Sequence, residues 1–130
     1  MEKVNYKKEI IGMVEELGKD KEFWNRINQS RDYRNKEGKL GSSNIRSVAT
    51  VCQNADCYEE IRLYIEYKIG KGNGWDDTLS NKKKFGQAVI DNMDKIYEMA
   101  GRDDKETLKI VSLYFGYLFW KKTAIEKGNL

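Results

Sequence analysis

Histidine and proline are both missing from this chain of 130 residues. Without histidine, the commonest general base near neutral pH and the commonest metal ligand are gone. Serine–histidine and cysteine–histidine nucleophiles are excluded with it. Proline at its average usage of about 5% would supply about six residues. A chain that uses none suits long helices joined by short turns. Cysteine is scarce: Cys52 and Cys57 are too few for a zinc site of the usual kind. They read as reduced thiols near a helix junction, with a disulfide between them as the alternative, and they place the chain in the cytoplasm. Long apolar runs are also lacking. The longest, Ile110 to Trp120, is too short to span a bilayer, and the opening MEKVNYKKEIIGMVEELG carries charges throughout. No membrane partner is therefore expected.

What is present is charge, 35% of all residues, with a mild net value of +3. Its distribution is uneven. From Arg31 to Arg46 five basic residues face two acidic ones, so this short segment alone carries the whole excess of +3. Lys82, Lys83 and Lys84 form a second basic cluster, and Asp103, Asp104 and Glu106 a local acidic counterweight. A focused basic patch on a nearly balanced protein suits a polyanion-binding face, although surface lysines also serve solubility alone.

The length suits one domain with a real core, and the apolar spacing predicts an all-α bundle of five or six helices with no convincing strand. A first helix over Lys3–Leu17 carries Val4, Ile10, Ile11, Val14 and Leu17 at helical spacing, and Gly18 stops it. Asp20 can cap a short second helix bearing Phe23, Trp24 and Ile27. Residues 1–28 thus form N-terminal helices, and residues 29–41 an exposed basic loop. The main bundle over 42–127 begins at LGSSNIR, with Ser42 or Ser43 as N-cap of a third helix running to Ala55. Ile45, Val48, Ala49 and Cys52 form its core stripe, and Arg46, Thr50 and Gln53 its polar stripe. Asp56 is expected to cap a fourth helix, with Glu59 as capping-box partner. Its inner line is Ile61, Ile65 and Ile69, flanked by Tyr64, Lys68 and Lys71, and GKGNG ends it. A fifth helix starts between Ser80 and Lys84 and buries Phe85, Val89, Met93 and Ile96. Asp103 caps the last helix, whose IVSLYFGYLFW is apolar on nearly every side. Such a helix is either central in the bundle or shared with a neighbouring molecule.

Chemistry-bearing constellations are few. GKGNG lacks the Walker spacing and follows a helix rather than a strand, so it reads as a helix stop. Nothing supports Asp76 and Asp77 as a metal site, and Cys52 has no activating base. Adjacent carboxylates such as Glu15/Glu16 and Glu59/Glu60 point about 100° apart on a helix. No cofactor is expected, and the chain reads as a non-enzyme. The remaining candidates are basic. Ser43 and Arg46 at a helix start form either a phosphate seat or an ordinary cap with a surface arginine. Arg62, Lys68 and Lys71 form either a basic track for a nucleic-acid backbone or helix-surface charge paired with Glu59 and Glu66. Lys82, Lys83 and Lys84 at a helix start oppose the macrodipole, and either phosphate or Asp76/Asp77 would offset them. Arg31 and Arg34 in the loop, and Lys121 and Lys122 after the aromatic run, complete the set. The aromatic run itself is core or, in part, a subunit contact, where Gly116 would permit close helix approach.

Three segments resemble the small-subunit family of type III CRISPR effector complexes. Ser42-Ser43-Asn44-Ile45-Arg46 is similar to that family's Thr/Ser-Ser/Thr-x-Ile-Arg helix start. Tyr64-Ile65-Glu66-Tyr67-Lys68-Ile69-Gly70-Lys71 resembles its Tyr-x-x-x-Arg-type helix, with Lys71 where the family often has arginine. The closing Tyr114-Phe115-Gly116-Tyr117 followed by basic residues is a third likeness. Together they span residues 40 to 127 and leave the first 39 uncovered. The resemblance implies a short, helical, non-catalytic subunit. Several copies would associate in an array beside the backbone subunits, bracketing the guide–target RNA duplex or single-stranded target. Target cleavage would belong to the backbone subunits. Two other readings stand beside it. One is a helical DNA-binding regulator reading bases through Arg46, Thr50 and Gln53; the other is an adaptor or inhibitor gripping an acidic protein.

Overall fold

The structure, a computed structural model, describes residues 6–29 and 40–126, and of Ser42 and Ser43 the backbone alone. Among these residues the chain forms six helices in the order α1 (Tyr6–Gly18), α2 (Lys21–Gln29), α3 (Ser42–Asn54), α4 (Tyr58–Lys71), α5 (Phe85–Met99) and α6 (Asp104–Glu126). There is no strand among them, only an isolated bridge between Thr78 and Lys84. The expected all-α bundle is the observed fold.

The near-continuous apolarity of α6 places it at the centre. It packs against α1, α3, α4 and α5 and buries Leu108, Ile110, Val111, Tyr114, Phe115, Leu118 and Ile125. A helix touching neighbours on several sides has no room for a polar face, which is why its sequence lacks one. Its exposed residues are Lys105 and Lys109 near the start and, within the apolar run, Trp120, 67% exposed. Of the predicted core lines of α3 and α5, Ile45, Val48, Cys52, Phe85, Val89, Met93 and Ile96 are buried and Ala49 is half-buried. Gly116 has open space where a Cβ would sit, so none of the described helices presses on it.

A second centre is aromatic. Phe23 and Phe85 stack with centroids 5.2 Å apart, Trp24 meets both edge-on, and Trp75 lies tilted against Phe85. Trp24 Nε1 donates to the Leu17 carbonyl at 2.9 Å, so the indole is buried without an orphaned donor. This cluster fastens α2 and the α4–α5 connection to α5. Gly86 lets the connection close in: its N–H donates to the Trp75 carbonyl at 2.8 Å.

Helix starts follow the sequence in part. Asp20 caps α2, accepting from Phe23 N–H at 3.1 Å, and Asp103 caps α6, accepting from Glu106 N–H at 2.8 Å. The other two expected caps are corrected. Gly41, not Ser42 or Ser43, is the N-cap of α3, and it brings no side-chain cap to that helix. The N-cap of α4 is Cys57 rather than Asp56. The Tyr58 N–H donates to Asp104 of α6 at 2.9 Å, and Asp56 donates its N–H to Glu60, not Glu59, at 2.9 Å. An acceptor from another helix has replaced the local one.

The expected exposed loop over 29–41 is corrected at its end. Leu40 is fully buried, with φ +56°, and its N–H donates to the Asn73 carbonyl at 2.8 Å. The start of α3 is therefore pinned to the turn that ends α4, where Gly72 and Gly74 supply φ +92° and +100°.

Candidate nucleic-acid interface

The buried leucine anchor and the turn after α4 bring the first turns of α3 beside the last turns of α4. Lys68 Nζ reaches Asn44 Oδ1 at 3.5 Å across that junction, the edge of hydrogen-bond range. Three cations of α3 and α4 rest on aromatic rings, two on rings of α4 and one on a ring of α6. Arg46 Cζ lies 4.5 Å from the Phe119 ring centroid, Lys68 Nζ 5.4 Å from Tyr64, and Lys71 Nζ 5.5 Å from Tyr67. All three distances fall inside the range at which a ring face attracts a cation. Each ring orients its cation without neutralising it, so the charge still faces outward.

The other candidates sort differently. Arg62 donates from Nε and Nη2 to Asp94 of α5 at 3.1 and 3.3 Å, and from Nη1 to Glu66 at 3.3 Å. It stands about 120° around α4 from Lys68, on the flank facing α5, so Arg62, Lys68 and Lys71 do not form one track. Asp94 also accepts from the Tyr58 hydroxyl. Burial first, then the bond and charge of Asp94, push the Tyr58 phenol far above its ordinary value, so it stays a donor. Lys83 is paired with Asp91 at 2.6 Å, and Lys121 with Glu15 of α1 at 3.2 Å. Lys122 is a correction: it is 1% exposed and paired with Glu126. It lies four residues after Leu118 and three before Ile125, on the core stripe of α6, so an outside phosphate cannot reach it. That spacing is readable in the sequence; the run of basic letters conceals it.

Lys82 and Lys84 are exposed on the approach to α5, Lys82 with φ +70° and Lys84 at the N-cap position. Ser43 lies in the first turn of α3, and Arg31 and Arg34 lie outside the described residues. Lys68 and Lys71 thus share one positive surface on α4, Arg46 stands on the α6 side of α3, and Lys82 and Lys84 lie apart from both. Thr50 and Gln53 are exposed on the stripe that begins at Arg46.

Sequence reasoning missed two exposed apolar side chains on α4, Leu63 at 65% and Tyr67 at 56%. Both fall outside its Ile61–Ile65–Ile69 line, and that offset was the available signal.

Burial pushes the Cys52 thiol up to about 12, which keeps it protonated and inert. Cys52 and Cys57 are both free thiols. Among the described residues no group of three or more cysteines and carboxylates is arranged to hold a metal, and no helix is long and apolar enough to cross a membrane. Set against known proteins, the chain matches no family model, no curated protein and no solved structure.

Proposed function

We propose that this chain is a non-catalytic RNA-binding small subunit of a type III CRISPR interference complex, holding the guide–target RNA by its backbone without reading sequence. The observation that carries the reading is the trio Arg46, Lys68 and Lys71. Each is laid over an aromatic ring, and none forms a carboxylate ion pair among the described residues. Cations held by rings meet a phosphate backbone at small entropic cost and keep their full charge for it. Contacts to phosphate carry no sequence information, as a subunit that must accept any target requires. The resemblance of Ser42–Arg46 and Tyr64–Lys71 to the family's helix motifs supports the same assignment, because those two segments meet at the α3–α4 junction.

The partners belong to this proposal as well. They are the RNA, the backbone subunits of the effector and further copies of the chain in an array. Exposed Trp120, with Tyr117 and Ile11 beside it, offers an apolar surface for such assembly. Cytoplasmic location and the absence of catalysis complete the reading.

The test is binding of the purified chain to RNAs of unrelated sequence across a salt series. Arg46→Ala, Lys68→Ala and Lys71→Ala are each expected to weaken all RNAs alike. Each should also reduce the log–log salt slope by about 0.7 to 0.9 for every phosphate it no longer neutralises. Arg62→Ala is the contrast: it should destabilise the fold and leave the slope of the folded protein unchanged. Sequence-selective binding to DNA duplex in preference to RNA would move the assignment to a regulator that reads through α3.

A further inference from the structure

On the outer side of α4 four side chains lie in one continuous series. Lys68 Nζ sits over Tyr64 at 5.4 Å, the Tyr64 and Tyr67 rings are 6.1 Å apart and tilted by 31°, and Lys71 Nζ sits over Tyr67 at 5.5 Å. Tyr67 nonetheless keeps 56% of its surface in solvent, and Leu63, one turn earlier, keeps 65%. An exposed tyrosine and leucine one turn apart form a small apolar surface that a ligand can cover. Three features of this side of α4 favour a nucleotide. The Tyr67 ring has a tilted tyrosine at 6.1 Å and an ammonium group at 5.5 Å as neighbours, so it is partly oriented in advance while more than half of it stays open to solvent. The flanking charge is positive: Lys68 and Lys71 stand on this side. No acid of α4 stands one turn from Tyr67, whose neighbours at that spacing are Leu63, Tyr64, Gly70 and Lys71; Glu59, Glu60 and Glu66 lie one turn from Leu63, and Glu66 is bonded to Arg62. Finally, the spacing of a cation and a ring on one face matches a nucleotide, which presents a phosphate and a flat base together.

We infer that Tyr67, supported by Leu63, is a stacking platform for one unpaired RNA base whose flanking phosphates lie on Lys68 and Lys71. This rests on the RNA-binding reading above and narrows it. The ligand recognised here is a single strand, or a duplex interrupted by an extruded base, rather than a continuous helix, whose bases have their faces covered. The platform accepts any base, since every base has a π-face, and so keeps binding blind to sequence.

The experiment compares anisotropy-detected binding of a single-stranded RNA of about ten nucleotides with that of a blunt duplex of the same length, using wild type, Tyr67→Ala, Leu63→Ala and Tyr67→Phe. A 2-aminopurine in the single strand reports stacking directly. Tyr67→Ala is expected to weaken the single strand by about 5- to 150-fold and the duplex by less than about 2-fold. It should abolish the quenching of 2-aminopurine and leave the salt slope unchanged, because Lys68 and Lys71 still neutralise the same phosphates. Tyr67→Phe should bind as wild type. Tyr67 is exposed, so these substitutions leave the core intact.

If Tyr67→Ala binds the single strand as tightly as wild type while Lys71→Ala weakens it, the platform is refuted and the backbone-binding reading stands. Equal losses on single strand and duplex refute it too, as does a change confined to self-association. Absence of RNA binding by every form, wild type included, overturns both.

Discussion

Gly86 sits in the first turn of α5, where the chain arriving from Trp75 crosses the end of α4. A Cβ placed there would lie 2.2 Å from Ile69 Cγ1, 2.7 Å from Ile69 Cδ1 and 3.0 Å from the Trp75 carbonyl oxygen. Carbon atoms in contact prefer about 3.5–4.0 Å, so the Gly86→Ala methyl requires Ile69 Cγ1 to retreat by about 1.3–1.8 Å. The Cγ1 atom is near the backbone and cannot swing clear as a chain end can. The carbonyl is fixed by its hydrogen bond from Gly86 N–H at 2.8 Å. Overpacking of this kind costs about 1–3 kcal/mol. Alanine's helix preference returns less than about 1 kcal/mol in a first turn, where the backbone is only partly helical. The difference of those two ranges is a loss of about 0–3 kcal/mol, and a 2.2 Å clash on a γ carbon puts the expectation in its upper half, about 1.5–3 kcal/mol. Urea denaturation followed by circular dichroism should show a lower midpoint at unchanged m-value. Ile69→Ala in the same chain should restore much of the loss, a coupling of about 1 kcal/mol or more between neighbouring sites. Gly18→Ala is the control, because its close contact is Lys121 Cε, near the movable end of a side chain. Because Ile69 lies between Lys68 and Lys71, the displaced helix end should also weaken RNA binding. A Gly86→Ala protein as stable as wild type, or no rescue by Ile69→Ala, refutes the packing argument.

Three further outcomes are expected. Leu40→Ala should lower stability by about 2–5 kcal/mol, the usual range for a fully buried leucine, although its neighbours in sequence read as loop; thermal unfolding checks it. For Asp20, burial raises the carboxyl pKa, but bonds from the Ser80 N–H and hydroxyl and from Phe23 N–H, with the charge of Arg26, outweigh it and hold the pKa below the ordinary 3.8. The folded value is lower than the unfolded one, so the carboxylate stabilises the fold fully above pH 3.8. That contribution is lost as pH falls through the folded value. Asp20→Ala should therefore destabilise at neutral pH, by about 1 kcal/mol for the cap alone, and the gap to wild type should narrow in acid denaturation. Lys122→Met should be neutral or stabilising. Glu126→Ala should cost about 1–3 kcal/mol, because it leaves the buried ammonium without its acceptor; paired melting curves distinguish the two.

The helices themselves were legible because each is encoded locally. The stripe Ile45–Val48–Cys52, the line Phe85–Val89–Met93–Ile96, and the caps Asp20 and Asp103 all act within a few turns of chain, where spacing alone decides which side chains share a face. The absence of histidine likewise removes imidazole as a base, nucleophile or metal ligand. What spacing could not decide was pairing across the bundle. Whether Arg62 faces solvent or Asp94 depends on how α5 packs beside α4, and whether Tyr58 N–H is capped by Asp56 or Asp104 depends on where α6 begins in space. Leu40 and Trp75 sit in segments with no periodicity, so only the meeting of the α3 start with the α4–α5 turn shows them to be buried. The same limit applies to the candidate surface. A sequence displays its basic residues as equals; the folded chain ties Arg62, Lys83, Lys121 and Lys122 to carboxylates and sets Arg46, Lys68 and Lys71 on aromatic rings. Charge is a property of a residue, but its availability is a property of the packing around it.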